Sequence, residues 1–472
     1  MDTSLLRKTW PWALVASILL FAFLASIVDF EPPERRLDRP LGTMEDVEAF
    51  ARRDDTNVLF ILVDTLRASH LGSYGYERDT SPFLDRYASQ GIRFARHLAQ
   101  SSWTKCSMAS LWTGLYPMRT GVTRFNEGLP EEALMPSEIL RDAGFRTIGI
   151  YRNGWVSGYF GFEQGFDRYA RPNPSPIPPS VRRENPTVSV VGSDEDATGM
   201  AREFLRLHGR GGDRWFLYLH LMDVHEYVYD EQTALFGTSN TDIYDNAILR
   251  EDQILEAFLK DLAAKGFLED TLVVITSDHG EAFGERGQEG HARSVYPEVT
   301  EVPFVIGYPF ELEGGLVVES RTANVDLWPT IFELIGMEGL MDEADGISRV
   351  AEIRAAAAGE QLDDAEPVYA FLDQNWGGAG PPQPSVSVSS GPLRYVRGLD
   401  VRGVMTESLF DAEQDPQELR DIKESAAEVF EELRELGKEH VAEEPLWEGG
   451  AQTLEIDEME LNQLRALGYQ VP

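Results

Sequence analysis

Cysteine is almost missing from this sequence: Cys106 is the only one in 472 residues. An internal disulfide is therefore excluded, and the chain is compatible with an oxidising or a reducing compartment. Cationic side chains are scarce beside anionic ones. Forty-two Lys and Arg face 80 Asp and Glu, a formal net charge of −38. So acidic a surface repels nucleic acid and anionic membranes, and no nucleic-acid partner is expected. An anionic substrate would need local positive charge against that field, which a bound metal ion supplies. Internal repeats are lacking, and so are long apolar runs, with one exception. Hydrophobic residues still make up 42% of the chain, enough for a substantial core.

The exception is "TWPWALVASILLFAFLASIV", Thr9–Val28, preceded by Arg7 and Lys8 and ended by Asp29. A run of about 20 apolar residues spans a bilayer as a helix. The positive flank on the N-terminal side places the bulk of the chain outside the cytoplasm. The expectation is a single-pass anchor in the cell membrane, the rest being periplasmic or otherwise extracytoplasmic. A cleaved signal peptide is the alternative. A charged, Pro-bearing linker follows over 30–55.

From Thr56 the texture changes. "NVLFILVD" (57–64), "FRTIGI" (145–150), "WFLYLHLMD" (215–223), "TLVVITSD" (271–278) and "VPFVIGY" (302–308) read as strands buried on both faces. Stretches at 81–92, 244–262 and 325–336 keep helical spacing. The alternation predicts an α/β domain with a mostly parallel sheet flanked by helices. The Pro-rich 169–186 reads as a surface excursion or a lid, 375–391 as a loop, and 417–438 as a charged amphipathic helix.

Three of the strands end in aspartate: Asp64, Asp223 and Asp278. In open α/β sheets, sites form beyond the carboxyl ends of strands, where distant carboxylates converge. His279 follows Asp278 directly and His225 lies two residues past Asp223, so the pattern favours a metal site over ordinary turn caps. Carboxylate oxygen with imidazole nitrogen suits a borderline divalent ion such as zinc or manganese. In "SSWTKCSMASLWTGLYP" (101–117), Thr104 stands where a turn enters a helix. Backbone N–H groups and the helix dipole favour an alkoxide or an oxyanion there. An ordinary N-cap is the competing reading of Thr104 or Ser107. His220, mid-strand, reads as a satisfied core histidine.

Taken jointly and in order, these stretches resemble the sulfatase family of the alkaline phosphatase superfamily. "NVLFILVDTLRASHLGSYGY", "SWTKCSMASLWTGLYP", "YLHLMDVHEYVY", "TSDHGEAFGE" with "GHARSVYPEVTEVPFVIG", "VDLWPTIFELIG", "LFDAEQDPQELRDI" and the tail "LRALGY" carry the resemblance. It implies an alkaline-phosphatase-like catalytic domain over 56–350; the change of texture after about 345 sets off a smaller C-terminal α+β subdomain over 366–442 and a tail over 443–472, and the apolar run marks an anchor or signal segment over 1–29. The family pattern C-x-P-S-R-x-x-L-x-T-G, aligned on Leu111, Thr113 and Gly114, puts Thr104 at the nucleophile position. Cys106 falls where the pattern has proline and Met108 where it has arginine. No formylglycine is then expected, and Cys106 reads as a small packing residue.

The resemblance also implies that Asp64, Asp278, His279 and Thr104 bind the metal, that His225 and His291 handle the leaving group, and that Arg67 and Lys105 bind substrate. Thr65 after Asp64, and His rather than Asn at 279, turn the expected ion from calcium towards a transition metal. Ser69 and Arg286 replace a usual Asp and His of the outer shell. A second metal held by Asp223, His225 and His291 is an alternative. The expected activity is metal-dependent hydrolysis of sulfate or phosphate/phosphonate esters, phosphodiesters included. A membrane-anchored phosphoryl-group transferase resembling phosphoethanolamine transferases, or a binding protein on a decayed enzyme scaffold, are the alternatives.

Overall fold

The computed structural model describes residues 39–173, 192–362, 366–378 and 380–456. The anchor segment, the Pro-rich stretch from 174 and the "LRALGY" tail lie outside them. Among the described residues, no helix is long and apolar enough to cross a membrane.

Eight strands form the central sheet: β1 (Asn57–Val63), β2 (Ile92–Leu98), β3 (Arg146–Tyr151), β4 (Arg168–Ala170), β5 (Trp215–Leu221), β6 (Thr271–Thr276), β7 (Phe304–Gly307) and β8 (Leu316–Ala323). Their spatial order is β8-β2-β7-β6-β1-β5-β3-β4. All pairings are parallel except those of β7, which runs antiparallel to β2 and β6. The expected mostly parallel α/β sheet is therefore the one observed. The continuous apolar runs mark its centre: β1, β5 and β6 are buried on both faces. Strands β2, β4 and β8 were not apparent in the sequence. They lie towards the margins, and Arg93, Arg96, Glu319 and Arg321 interrupt their apolar pattern.

Helices cover the sheet. The first to matter is α1 (Thr104–Thr113), all ten residues of which are buried. It ends at Gly114, whose φ of 69° is the left-handed conformation that closes a helix at little cost only for glycine. Helices α2 (Asp194–His208) and α3 (Asn240–Ala264) begin with capping boxes, Ser193 with Asp196 and Ser239 with Asp242.

Beyond residue 366, four antiparallel strands, β9 (Val368–Asp373), β10 (Pro384–Ser390), β11 (Leu393–Leu399) and β12 (Met405–Asp411), carry helix α4 (Ala427–Val441). Two expectations are corrected here. Part of the stretch read as a loop is β10: Val386 and Val388 alternate with serine and pack with Tyr395, Leu409 and Leu433. The helix expected from 417 starts at 427. The preceding backbone N–H groups are taken by carboxylates instead, Asp415 accepting from Arg420 and Asp421 from Lys423.

Candidate active site

Strands β6, β1, β5 and β3 are neighbours, and their carboxyl ends deliver side chains to one place. Asp64 follows β1, Asp278 and His279 follow β6, His225 follows β5, and Asn153 follows β3. The backbone N–H of Asp64 donates to Leu221 O at 3.0 Å, the last rung before the chain turns away. The turn is strained: Thr65, β-branched, has φ 61°. Among the described residues five non-glycines have positive φ. Three of them, Thr65, Tyr227 and Ala292, stand within two residues of Asp64, His225 or His291, so strain collects at this edge of the sheet.

Thr104, the first residue of α1, meets the cluster from the other side. Its Oγ1 lies 3.1 Å from His279 Nε2. His279 Nδ1 is 3.0 Å from Gly280 O and donates there, which leaves the Nε2 lone pair facing Thr104. His279 Nε2 is 3.3 Å from Asp278 Oδ2 and 3.9 Å from Asp64 Oδ1. Ser107, one turn into α1, fixes the helix to this strand end by donating to Asp278 O at 2.6 Å.

Asp64, Asp278, His279 and Thr104 are all completely buried. One ligand atom from each of Asp64, Asp278 and His279 lies within 4.8 Å of the others. Asp64 Oδ1 and Asp278 Oδ2 accept no hydrogen bond from the protein. Two buried carboxylate oxygens without donors, facing an imidazole lone pair, fit a divalent cation. The carboxyls are driven apart. Burial and the neighbouring Asp64 push Asp278 up; for Asp64, His225, His220 and His279 more than offset burial and hold it below its ordinary value.

His225 and His291 are the partly exposed members, so the cluster opens towards solvent through them. Their ring centroids are 5.1 Å apart, and His291 is 4.7 Å from His279. His291 Nδ1 lies 3.1 Å from Glu281 Oε2, and that carboxylate raises the imidazole pKa despite burial. Burial lowers His225 to about 4, so it is neutral.

Other expected residues lie differently. Lys105 does not turn its charge to this cluster. Its ammonium donates to the carbonyls of Phe125 and Glu127 (2.6 Å to the latter) and sits 4.0 Å from the Phe160 ring centroid, with Trp155 and Trp103 beside it. Burial pushes its pKa far down. Arg67 donates to Glu281 O at 2.9 Å and to Glu285 at 2.7 Å, and it lines an adjacent cavity of 590 Å³ with Ser69 and Arg286. Asp223 is not gathered with His225 and His291 as a second metal site would need; its carboxylate pairs with Arg152. Cys106 is buried among apolar side chains and its thiol is pushed up to about 12, which suits packing.

His220 is more than a core histidine. Its Nε2 is 3.0 Å from Asp64 Oδ2, while Tyr218 Oη meets its Nδ1 at 2.7 Å. Asn153 was missed. Its Nδ2 donates to Asp64 Oδ2 at 2.5 Å and reaches Thr104 Oγ1 at 3.3 Å. Its Oδ1 accepts from Trp155 N at 2.8 Å, which fixes the amide orientation. The strand-end rule that picked out Asp64 applies to Asn153 too, since it follows the strand of "FRTIGIY" after one intervening residue.

The fold is of the alkaline-phosphatase-like α/β class. A structure of the phosphonate monoester hydrolase of Agrobacterium radiobacter superposes with a TM-score of 0.63 at 19% identity, covering 85% of this chain and 100% of that one. A structure of i-CgsB in complex with k-i-k-neocarrahexaose gives 0.66 at 19% identity, covering 88% and 98%. Within that class the chain belongs to the sulfatase family, whose profile matches residues 56–337. It is 24% identical to N-acetylgalactosamine-6-sulfatase of Canis lupus familiaris over 361 residues, 67% of this chain and 68% of that protein. It is 25% identical to an ulvan-active sulfatase of Formosa agariphila over 333 residues, 62% and 65% of the two lengths.

Proposed function

We propose that the protein is a metal-dependent hydrolase of sulfate or phosphate/phosphonate esters with Thr104 as nucleophile. The observation that carries the reading is the placement of Thr104 Oγ1 3.1 Å from His279 Nε2, the imidazole that stands beside the donor-free oxygens of Asp64 and Asp278. A divalent cation held by Asp64, Asp278 and His279 would, when bound, offset the anionic oxygens of the ester and ease deprotonation of the threonine.

Thr104 Oγ, its proton lost to solvent, bonds to the central atom of the ester as the bond to the leaving oxygen breaks. The first turn of α1 lends its N–H groups to the developing negative charge, and Asn153 Nδ2 orients the attacking oxygen. His291, whose imidazole pKa is raised by Glu281, gives a proton to the leaving oxygen. Water then attacks the same atom, passes a proton back to His291, and releases Thr104.

Threonine cannot form the aldehyde hydrate that lets sulfatases expel sulfate by C–O cleavage. Attack at the central atom is required, which favours phosphodiesters or phosphonates; the sulfatase relatives favour sulfate esters. A panel of aryl sulfate, phosphate monoester, phosphodiester and phosphonate, each with manganese, zinc or calcium, separates the two. Thr104→Ala is expected to abolish turnover and retain metal, and full activity in that variant would refute the assignment. Product analysis with and without an acceptor alcohol distinguishes hydrolysis from group transfer. The apolar run Thr9–Val28 with Arg7 and Lys8 supports a membrane anchor and an extracytoplasmic catalytic part. Recovery of the full chain in the soluble fraction, with its N-terminus intact, would count against the anchor.

A further inference from the structure

Arg152 lies in the turn after β3 and is fully buried. Its guanidinium pairs with Asp194 at 2.8 Å and also with Asp223 and Glu226. Glu251, on α3, brings a fourth carboxylate to the same place. One guanidinium thus faces four acids, an excess of negative charge that burial makes costly unless something positive shares the space.

Asp194 is well supplied with donors: Arg152 and the backbone N–H groups of Met222 and Asp223. Glu251 is not. It is 2% exposed, no N–H donor reaches either of its carboxylate oxygens, and the polar group beside it is another acid, Asp194; burial and that acid drive its pKa well up. Asp223, 1% exposed, likewise leaves Oδ2 without a donor. One oxygen from each of Asp194, Asp223 and Glu251 lies within 4.8 Å of the others. Oxygens that close together can share one cation, whose bonds to oxygen are about 2.0–2.6 Å for magnesium or calcium.

We propose that Asp194, Asp223 and Glu251 bind a second, structural cation, distinct from the one at Asp64, Asp278 and His279. The donor set is all oxygen, which selects a hard divalent ion, calcium or magnesium, where the imidazole-bearing cluster suits a borderline metal. The three ligands come from α2, from the turn after β5 and from α3. The cation therefore clamps two helices to the turn that carries His225 into the candidate active site. The proposal stands independently of the nucleophile assignment.

Metal content and thermal unfolding of the full chain test it, after chelator treatment and reloading with calcium or magnesium alone. Three proteins are compared: the wild type, Asp64→Asn/Asp278→Asn, which removes both carboxylates of the other cluster, and Glu251→Gln. The double variant is expected to retain one equivalent of calcium or magnesium per chain. Its Tm should rise by about 3 °C at a hundredfold excess over Kd. Glu251→Gln is expected to lose that equivalent and that rise. If Glu251→Gln fails to fold, the double variant decides alone: one equivalent supports the site and none overturns it. Wild-type stoichiometry in Glu251→Gln would also overturn it, showing that protons, not a cation, balance the charge. Activity is not the readout, so failure here leaves the role of Thr104 to its own test.

Discussion

Asn153 Nδ2 is shared between Asp64 Oδ2 and Thr104 Oγ1, at 2.5 and 3.3 Å. One amide thus couples a candidate metal ligand to the hydroxyl proposed to attack. Because Asn153 Oδ1 is committed to Trp155 N, the amide cannot flip without losing a buried hydrogen bond. Asn153→Ala is expected to lower kcat about 10²- to 10³-fold, the usual cost of a preorganised donor, with little change in KM. Steady-state kinetics on the best ester of the panel check this; an unchanged kcat would remove Asn153 from the chemistry.

His220 meets the same Asp64 Oδ2 that Asn153 holds, and is itself held by Tyr218. Groups that orient a ligand typically account for about 10- to 100-fold in metal affinity. His220→Phe should weaken metal binding by that factor while the fold is retained. Competition against a chelator of known affinity measures it, with circular dichroism as the control.

Chelation is expected to abolish turnover in the wild type, and restoring the preferred metal should recover it. In Thr104→Ala the metal should rebind with near-normal stoichiometry while activity stays absent. Turnover that survived thorough removal of metal would contradict the proposed function directly.

Cys106 is 1% exposed and its thiol is pushed up to about 12 by burial. It should resist thiol reagents in the native protein and react only on unfolding. Cys106→Ala is expected to cost about 1 kcal/mol of stability through a small cavity and to leave kcat intact. A large loss of kcat with unchanged stability would give the sulfur a chemical role.

His97 supplies a pH dependence that can be isolated. Burial pushes its pKa down to about 3, although Nδ1 and Nε2 meet Thr322 and Asn324, both at 2.8 Å. The unfolded chain takes up a proton near pH 6.5, and the folded chain does not until about pH 3. Stability is thus unaffected above that window and is lost as pH falls through it, by about 1.4 kcal/mol per unit. His97→Gln should be less stable at pH 7.5 yet show a flatter decline between pH 6.5 and 4. Denaturant titrations of both proteins at each pH give the difference, in which the other titrating groups largely cancel.

The sequence by itself determined the class of fold and the identities of the candidate ligands. Runs such as "NVLFILVD" and "TLVVITSD" signal strands buried on both faces, and the residues just beyond such strands fall at the carboxyl edge whatever their neighbours are. Asp64, Asp278 and His279 were legible for that reason, and Thr104 through its place at a helix start and the family spacing of Leu111, Thr113 and Gly114. Tertiary structure alone decided which neighbouring side chains face the cluster. Asp223 turns to Arg152 while His220, three residues earlier, faces Asp64. Lys105, next to Thr104, points instead to the carbonyls of Phe125 and Glu127. A side chain's direction at a strand end or helix start is set by pairing and packing with distant segments. Local spacing carries no record of that choice.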